Sequence, residues 1–582
     1  MEINQIQAIQ RLRSWASRNS EFSIIAILVA IYLFIGNYFA WQQAFVGLLA
    51  NVSGGSDPYF NYYIIQNIIA TGHLLTYTQA LNYPIGSGNP RNPFFHELLV
   101  FMAEILSPVI GVKAAAYYAF MEFDAVFGAL LIIPVYLLAK DVFGKKTGLL
   151  SAFIYTLIPS NLSSGILTDG RMHTPELIFA FFAIYFFEKA IRLSSKERII
   201  GNFTQFKSYY GSVMKYVKNN ILSTEYAIFA AISYGALMLS WQGAAYILAI
   251  IAIYIIIQLI FNLFASKNTG YITFVSVIFV LISFAMGYYY YYAANNAPSI
   301  WFIPPLYIGL GVIAISILIG ILGRKPWIIS IPLLIIVLGG LLIGIKFASP
   351  HIFNEIISGE GYFIKTRVYS TIAEAQSPLT AAPLLSSYLS EFGIGIFAMG
   401  MGGIIYMVYL VLREKKDSIL FMLVFSLVSI YMSFAAARFN VTAAPAYAIG
   451  SAALLMYILE LLKLNRGTDQ SSRKTMKQRR SAIKADIKWL QVILAIVISL
   501  GLVLPAGLSM ISNGIPANNA EQVNKQIYDS LPSFIRPYAF QANSTDYIGG
   551  TGLLITNSSS PFSASMKWFA QQDANVPINQ KQ

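Results

Sequence analysis

Runs of apolar residues long enough to cross a membrane recur along most of the chain, and short polar segments separate them. A helix of about 20 apolar residues covers a hydrocarbon core of ~30 Å. A transmembrane β-barrel would instead show segments of ~10 residues with alternating polarity. The pattern therefore predicts an all-α polytopic membrane protein with about thirteen spans, at residues 22–44, 117–139, 147–162, 174–193, 225–241, 243–264, 271–293, 299–322, 327–347, 390–412, 418–437, 441–463 and 489–511.

Three of the segments between or after these spans are long and polar, and all three map to the same side of the membrane. They are residues 45–116, 348–389 and 512–582. Gly, Asn and Pro clusters in the first segment predict turns, and FFHELLVFMAEIL (94–106) predicts an amphipathic helix that lies on the membrane. We therefore expect a membrane domain over residues 1–511 and the start of an outer domain over 512–582.

One predicted boundary has two interpretations. Only Trp-Gln-Gly separates the apolar runs 225–241 and 243–264. This tripeptide predicts either a tight turn at the outer face or a kink within one continuous segment.

Composition and charge support a membrane protein with its N-terminus inside the cell. The chain is 57% hydrophobic and 11% charged, and its mean hydropathy is +0.61. Its net charge of +13 suggests a nucleic-acid partner at first sight, but roughly 28 of the 39 Lys and Arg lie in loops on one side. This distribution is the positive-inside pattern and argues against nucleic acid. The first apolar run is too long for a signal-peptide core, so it predicts an uncleaved anchor in the cell membrane.

The chain has no Cys, which excludes disulfides and thiolate metal sites. Four other side chains with metal-binding chemistry lie at the predicted outer face: Asp57, Asp169, His173 and Glu374. Carboxylates and an imidazole suit a hard cation such as Mn²⁺ or Mg²⁺, which would stabilise a phosphate leaving group as a Lewis acid. The same carboxylates could instead orient a substrate nitrogen. Alternatively, Asp57 and Asp169 only solvate loops or cap helices.

Arg438 follows the eleventh span, also at the predicted outer face, and has apolar neighbours. It could bind a phosphate with two hydrogen bonds, or it could anchor the helix at the interface. Arg171 could pair with the nearby Asp169. We interpret Trp241 as interfacial. Glu104, Glu122 and Asp124 lie in or near apolar runs and could be partners for basic residues.

Five segments together resemble the catalytic subunit of archaeal oligosaccharyltransferase, a GT-C glycosyltransferase. GGSDPYFNYY (54–63) resembles the Asp motif of the family's first outer loop, and LTDGRMHTPELIFAFF (167–182) stands where its second acidic motif is found. TIAE (371–374) resembles the motif of the mobile fifth outer loop. SWQG (240–243) is similar to a pattern in the bundle, and AARFNVTAAPAY (436–447) resembles the stretch with the phosphate-binding Arg. The resemblance covers nearly the whole chain.

The resemblance implies a membrane glycosyltransferase that acts as a single subunit. It would transfer an oligosaccharide from a dolichyl phosphate carrier to Asn in Asn-x-Ser/Thr, with inversion at the anomeric carbon. Its partners would be the lipid-linked oligosaccharide, the acceptor polypeptide and the bilayer. Thr371 and Ile372 would belong to the loop that closes over the acceptor, on the extracellular side.

The resemblance also implies a role for each candidate residue. Asp57, Asp169, His173 and Glu374 would surround Mn²⁺ or Mg²⁺. Asp57 and Glu374 would in addition act as the catalytic pair that holds the acceptor carboxamide. Arg438 would contact the carrier phosphate.

The chain departs from the family pattern in two places. The family's second motif has its two ligands closer together in sequence than Asp169 and His173 are. Only one of these two residues therefore matches a family ligand. If Asp169 is the match, Arg171 occupies the position of the second ligand. The sequon-reading motif Trp-Trp-Asp-Tyr-Gly is missing, although residues 563–577 resemble the stretch before it. We therefore expect a truncated outer domain or a lost sequon reader. The alternatives are a GT-C transferase that acts on Ser/Thr, an inactive relative, or a transporter, which would place its ionisable groups near the membrane midplane.

Overall fold

The structure is a computed structural model, and the residues it describes form mostly helices. It describes residues 20–38, 41, 57–82, 84–167, 169–194, 206–265, 267–293, 302–322, 327–358, 373–379, 386–461, 489–513 and 533. Thr371 and Ile372 of the predicted acceptor loop lie outside the described residues, as does nearly all of the predicted outer domain.

The described helices, in chain order, are α1 (Ser20–Tyr38), α2 (Asp57–Thr71), α3 (Pro93–Ile110), α4 (Val112–Leu130), α5 (Ile132–Phe143), α6 (Lys145–Leu157), α7 (Pro159–Ser163), α8 (His173–Leu193), α9 (Phe206–Asn219), α10 (Ile221–Ser240), α11 (Ala245–Phe264), α12 (Gly270–Ala293), α13 (Ile303–Leu322), α14 (Trp327–Ala348), α15 (Pro350–Ser358), α16 (Ser386–Phe392), α17 (Ile394–Glu414), α18 (Asp417–Ala435), α19 (Asn440–Leu461) and α20 (Trp489–Asn513). Short 3₁₀ turns occupy Gln242–Ala244, Ala373–Ala375 and Ala437–Phe439. Two short antiparallel strands, β1 (Tyr77–Thr78) and β2 (Ser87–Gly88), form a hairpin between α2 and α3.

The predicted polytopic helical architecture is confirmed. Within the described ranges, ten helical segments are long and apolar enough to cross a membrane. One of them is α3, which contains the predicted amphipathic segment. Phe95 and Leu99 are buried on one face of α3, against α4 and α10, and Phe101 and Ile105 are exposed on the other. The predicted amphipathic pattern is therefore present, in a helix that is also long enough to span.

Two of the predicted spans differ in detail from the helices that form. The segment predicted over 147–162 is two helices, α6 and α7, because Ile158 is extended immediately before Pro159. The residue before a proline disfavours the α-helical conformation, and the proline starts the next helix. The segment predicted over 117–139 is longer than expected, since α4 and α5 follow each other from Val112 to Phe143.

The break at Trp-Gln-Gly separates two helices rather than kinking one. Tyr226 of α10 packs on Phe186 of α8, and Tyr254 of α11 packs on the adjacent Phe187. Both α10 and α11 therefore pass the same level of α8, which one continuous kinked helix would not do. The tight-turn interpretation is confirmed.

Small residues allow the helices to approach closely in the interior. A Cβ at Gly403 of α17 would overlap the carbonyl of Gly450 in α19, and a Cβ at Gly400 would overlap Tyr447. Such contacts are typical of membrane helices, whose association depends on close packing rather than on apolar burial from water.

Candidate active site

One end of the helix bundle brings together segments that are far apart in the sequence. The start of α2, the start of α8, the turn between α10 and α11, the turn at Ala373–Ala375 and the turn before α19 meet there. A cavity of about 100 Å³ lies between them. Its lining residues are Asp57, Asn61, Arg91, Asn92, Arg171, Met172, His173, Ser240, Trp241, Gln242, Glu374 and Arg438.

Four of the predicted site residues, Asp57, His173, Glu374 and Arg438, thus line a single cavity. Asp169 lies beside it, joined to the lining through Arg171. The roles that the resemblance implies for these residues stay predictions.

Asp57 is the first residue of α2, and its carboxylate pairs with an arginine that the sequence analysis did not single out. The distance from Arg91 Nη2 to Asp57 Oδ1 is 2.8 Å. The backbone of Arg91 is held on both sides, since its N–H donates to Asn89 Oδ1 at 3.0 Å and its carbonyl accepts from Tyr290 Oη at 3.1 Å. Asp57 itself is half exposed and stays accessible from the cavity.

Asp169 and Arg171 form an ion pair with several hydrogen bonds within the second motif. Arg171 Nε lies 3.0 and 3.1 Å from the two Asp169 carboxylate oxygens, and Nη2 lies 2.8 Å from Oδ1. Asp169 is only 1% exposed. Burial raises the pKa of Asp169 and the adjacent guanidinium opposes that shift, while the Asp169 carboxylate raises the pKa of Arg171. The predicted alternative, that Arg171 pairs with its neighbouring carboxylate, is confirmed.

Asp124 of α4 holds the loop between α7 and α8 through two hydrogen bonds that the sequence did not predict. Asp124 Oδ2 accepts the Gly170 N–H at 2.6 Å, and its Oδ1 accepts the Thr174 hydroxyl at 2.9 Å. Gly170 has a positive φ of 66°, which glycine adopts without strain. Asn61 donates to the Gly170 carbonyl at 3.1 Å, so both sides of this peptide are held.

A buried histidine joins α2 to α3 beneath the site. His96 Nε2 lies 3.2 Å from Asn61 Oδ1, and His96 Nδ1 lies 3.2 Å from the Asn92 carbonyl. Because Asn61 also holds the Gly170 peptide, this chain of contacts fixes the start of α2 relative to the second motif.

Glu374 faces three cationic or basic side chains. Its Oε1 is 3.3 Å from Arg438 Nη1, and its Oε2 is 3.8 Å from His173 Nε2 and 4.0 Å from Arg171 Nη1. The Ala437 N–H donates to the Gln376 carbonyl at 2.9 Å and docks this turn against the one that carries Arg438. Two predicted site residues, Glu374 and Arg438, are therefore direct partners.

His173 is oriented by Glu176, which the sequence analysis did not identify. His173 Nδ1 lies 3.2 Å from Glu176 Oε1. A carboxylate on one ring nitrogen typically fixes the tautomer and directs the other nitrogen to a metal or substrate. Here that other nitrogen, Nε2, faces Glu374 across the cavity.

The donor types at this site fit a hard cation, but the carboxylates are paired with arginines. In the part of the chain that the structure describes, no three His, Asp or Glu side chains are already grouped to hold a metal. Asp57 and Glu374 would have to turn away from Arg91 and Arg438 to coordinate an ion together with His173. His173 already presents Nε2 to the cavity, which supports the fit.

Arg438 stacks on Trp241, which is a buried site residue rather than the interfacial residue that the sequence predicted. The Arg438 guanidinium carbon lies 4.3 Å from the centroid of the indole, and Trp241 is 7% exposed. The interfacial interpretation was wrong because Trp241 sits in the extended break between α10 and α11, where Tyr246 and the Arg438 turn cover it. The signal available in the sequence was its position between two apolar runs at the face that carries the other site residues.

Fold and site together define a polytopic helical membrane protein with a pocket of carboxylates, arginines and an imidazole at one end of its bundle. Residues 21–512 match the family described as "Oligosaccharyl transferase STT3, N-terminal". The chain therefore belongs to this family of oligosaccharyl transferases, and the resemblance predicted from its motifs is confirmed.

Several archaeal proteins are similar to this chain. Dolichyl-phosphooligosaccharide-protein glycotransferase 3 of Archaeoglobus fulgidus is 25% identical over 552 residues, which are 90% of this chain and 58% of that protein. Dolichyl-monophosphooligosaccharide-protein glycotransferase AglB of Haloferax volcanii is 23% identical over 416 residues, 65% of this chain and 36% of that protein. The chain thus spans well under two thirds of the length of these relatives.

A solved structure shares the fold. Archaeal oligosaccharyltransferase AglB from Archaeoglobus fulgidus, in complex with an inhibitory peptide and a dolichol-phosphate, superposes with a TM-score of 0.71. The sequences are 21% identical, and the match covers 91% of this chain and 60% of that one. This likeness confirms that the chain has the polytopic helical fold of an archaeal oligosaccharyltransferase.

Proposed function

We propose that this protein transfers an oligosaccharide from a dolichyl phosphate carrier to Asn in Asn-x-Ser/Thr sequences. The observation that carries the proposal is the single cavity that joins Asp57, Glu374, His173 and Arg438. It supplies carboxylates for an amide and a guanidinium for a phosphate. The family membership and the names of the archaeal relatives support the same reaction class.

The acceptor side of the reaction falls to Asp57 and Glu374. An amide nitrogen is a poor nucleophile because its lone pair is delocalised into the carbonyl. Both carboxylates reach the cavity, and each can accept one N–H···O hydrogen bond from the Asn carboxamide. These two bonds favour a partial twist about a C–N bond whose full rotation costs ~18–20 kcal/mol. The twisted nitrogen attacks the anomeric carbon from the side opposite the phosphate, so that the configuration inverts. The C–O bond to the carrier breaks, the dolichyl phosphate leaves with the bonding electrons, and the nitrogen loses one proton to a cavity carboxylate.

The donor side falls to Arg438. Its guanidinium is fixed by the Trp241 face and can give two parallel hydrogen bonds to a phosphate, as arginine does at phosphate sites. In the structure Arg438 pairs with Glu374 at 3.3 Å. A phosphate that binds Arg438 therefore competes with this ion pair and releases the carboxylate to accept the acceptor amide. Donor binding and acceptor activation are coupled through this exchange.

A divalent cation, Mn²⁺ or Mg²⁺, fits the same cavity. Asp57, His173 and Glu374 would hold it. Asp169, whose carboxylate is paired with Arg171, would lie next to the ion site without coordinating the ion directly. When bound, the ion would supply positive charge to the phosphate leaving group. Of the two alternatives in the second motif, His173 is the better direct ligand because its Nε2 faces the cavity.

The membrane orientation of the site follows from the charge distribution of the sequence. The loops predicted inside contain most of the Lys and Arg, so we place the N-terminus in the cytoplasm and the cavity at the extracellular face. The single-subunit action that the resemblance implies stays part of the proposal.

The test is a transfer assay with the purified protein, a dolichyl-phosphate-linked oligosaccharide, Mn²⁺ and an Asn-x-Thr peptide. Mass spectrometry of the peptide should show the added glycan with the unaltered protein and with the control Glu414→Gln. Glu414 lies at the far end of α17 and forms an ion pair outside the site. Glu374→Gln should abolish the product and leave donor binding intact.

Equal turnover by Glu374→Gln would contradict the catalytic role of this carboxylate. A glycan attached to Ser or Thr of the peptide, and not to Asn, would replace the proposal with a transferase of the other acceptor class.

A further inference from the structure

A second cavity lies at the opposite end of two helices that lead away from the active site. Helix α11 begins just after Trp241 and ends at Phe264, and α18 begins at Asp417 and ends just before the turn that carries Arg438. The cavity, of about 290 Å³, lies between the end of α11 and the turn that joins α17 to α18. This volume is near the lower limit for sites that bind small molecules, ~300–1,000 Å³.

The outer part of this cavity is positively charged. Lys267, Lys415 and Lys416 line it, and all three are exposed. The carboxylate in the lining, Asp417, is buried and already accepts hydrogen bonds from Gln258 Nε2 at 3.2 Å and Tyr271 Oη at 2.9 Å. Lys416 Nζ pairs with Glu414 Oε2 at 2.6 Å, whereas Lys267 and Lys415 have no carboxylate partner among the residues that the structure describes. Two unpaired ammonium groups therefore lie at this cavity, while the Asp417 carboxylate is bound by neutral donors. The cavity favours an anionic ligand.

Gln258, one of the residues that line the cavity, carries a buried acceptor. Gln258 is 2% exposed, and its Nε2 donates to Asn262 and Asp417. Its Oε1 has no hydrogen-bond partner among the residues that the structure describes. A buried acceptor without a hydrogen bond is destabilising, so a ligand that reaches it and donates a hydrogen bond there would be stabilised.

The edge of the cavity is apolar and continuous with the helix surface. Phe261, Phe264 and Leu412 line it and are all largely exposed. They belong to α11 and α17, two of the helices long and apolar enough to cross the membrane. Such exposed side chains contact lipid, so the ligand has its polar part under the lysines and an apolar part along these residues.

We propose that this cavity binds an anionic phospholipid with a hydroxyl-bearing headgroup, such as phosphatidylglycerol, in the leaflet opposite the active site. The phosphate lies among Lys267, Lys415 and Lys416. A headgroup hydroxyl donates to Gln258 Oε1, and the chains follow Phe261 and Leu412. Basic pockets between membrane helices on the cytoplasmic side are known to bind anionic headgroups, and this end is the one that the sequence places inside.

The experiment is native mass spectrometry of the whole detergent-purified protein after addition of one lipid at a time. The lipids are phosphatidylglycerol, phosphatidylmethanol, which has the same charge without a hydroxyl, and neutral phosphatidylcholine. The test variant is Lys267→Gln, Lys415→Asn and Lys416→Gln combined, with Asn at 415 because that residue has a positive φ.

A matched control removes three exposed lysines elsewhere, by Lys113→Gln, Lys215→Gln and Lys218→Gln. We expect one tightly bound phosphatidylglycerol in the unaltered protein and in this control. The test variant should bind it about 25-fold more weakly, at roughly fivefold for each of the two lysines that have no carboxylate partner. Equal retention of phosphatidylcholine and phosphatidylglycerol by the unaltered protein would overturn the proposal, and so would unchanged binding by the test variant. Displacement of the lipid by inorganic phosphate would overturn it in favour of a phosphate site.

Gln258→Met tests the inner contact with little change in side-chain volume. Phosphatidylglycerol should bind this variant no more tightly than phosphatidylmethanol does, while the unaltered protein prefers phosphatidylglycerol severalfold. Loss of both lipids to the same extent, or an unchanged preference, would contradict the assigned hydrogen bond.

Discussion

Trp241→Leu tests how the structure positions the guanidinium that we assign to the donor phosphate. Arg438 lies 4.3 Å above the indole centroid, and both side chains are largely buried. Cation–π contacts contribute ~0.5–1 kcal/mol at exposed sites and ~2 kcal/mol when desolvated. For this pair we take ~1–2 kcal/mol, which corresponds to a loss of about 5- to 30-fold in donor affinity. Trp241→Phe keeps an aromatic face and should lose less.

The assay measures KM separately for the lipid-linked oligosaccharide and for the acceptor peptide. The donor KM should rise by the stated factor and the acceptor KM should change little, because the Trp241 ring packs against Arg438 and Tyr246, neither of which is assigned to the acceptor. Trp41→Leu, which removes an exposed indole away from the cavity, is the control. A folded Trp241→Leu protein whose donor KM stays within twofold of the original would refute the positioning role.

Three further perturbations probe the surroundings of the site. Asp124→Asn should lower the free energy of unfolding, measured by denaturant titration, by ~1.5–3 kcal/mol. The amide cannot accept both hydrogen bonds that the buried carboxylate accepts from Gly170 and Thr174. Arg91→Gln should raise the acceptor KM by at most about fivefold and leave the donor KM unchanged. The reason is that the ion pair of Arg91 with the half-exposed Asp57 contributes only ~0–1 kcal/mol. Removal of divalent cations with EDTA should stop transfer and Mn²⁺ or Mg²⁺ should restore it, whereas undiminished transfer in EDTA would remove the metal from the account.

The membrane spans were predictable from the sequence because a hydrocarbon environment requires long apolar helices, and their length leaves few alternatives. The errors occurred where a local backbone preference divides an apolar run. Pro159 starts a new helix inside the predicted span 147–162, although the surrounding residues are apolar enough to continue it. Hydropathy alone does not register such a break.

The membership of the site was partly predictable because residues at the same end of a helix bundle are near each other. This reasoning correctly brought Asp57, His173, Glu374 and Arg438 to one cavity. It predicted the pairing of Arg171 with Asp169, two residues away, but not that of Arg438 with Glu374, because this pair joins remote segments and depends on distances of a few ångströms.

The supporting residues were hidden for a different reason. Asp124 and Glu176 lie within apolar helical runs. The sequence shows that an ionisable side chain is present there, but not which neighbouring segment the side chain faces. Both turn out to hold site segments, through Gly170 and through His173. Ionisable groups inside membrane helices generally need a partner, and the partner becomes visible only when the helices are packed.

The most direct test of the account measures whether the Glu374 turn docks on the Arg438 turn. Because the chain has no Cys, Gln376→Cys with Ala437→Cys introduces the only two thiols. The backbone bond of 2.9 Å between these residues predicts efficient intramolecular cross-linking by a short bismaleimide, detected as a linked peptide by mass spectrometry. The control pair, Gln376→Cys with Lys416→Cys, places the second thiol at the far end of α18, roughly 28 Å away, and should not react. Cross-linking of the control pair but not of the test pair would contradict the convergence of these segments on one site.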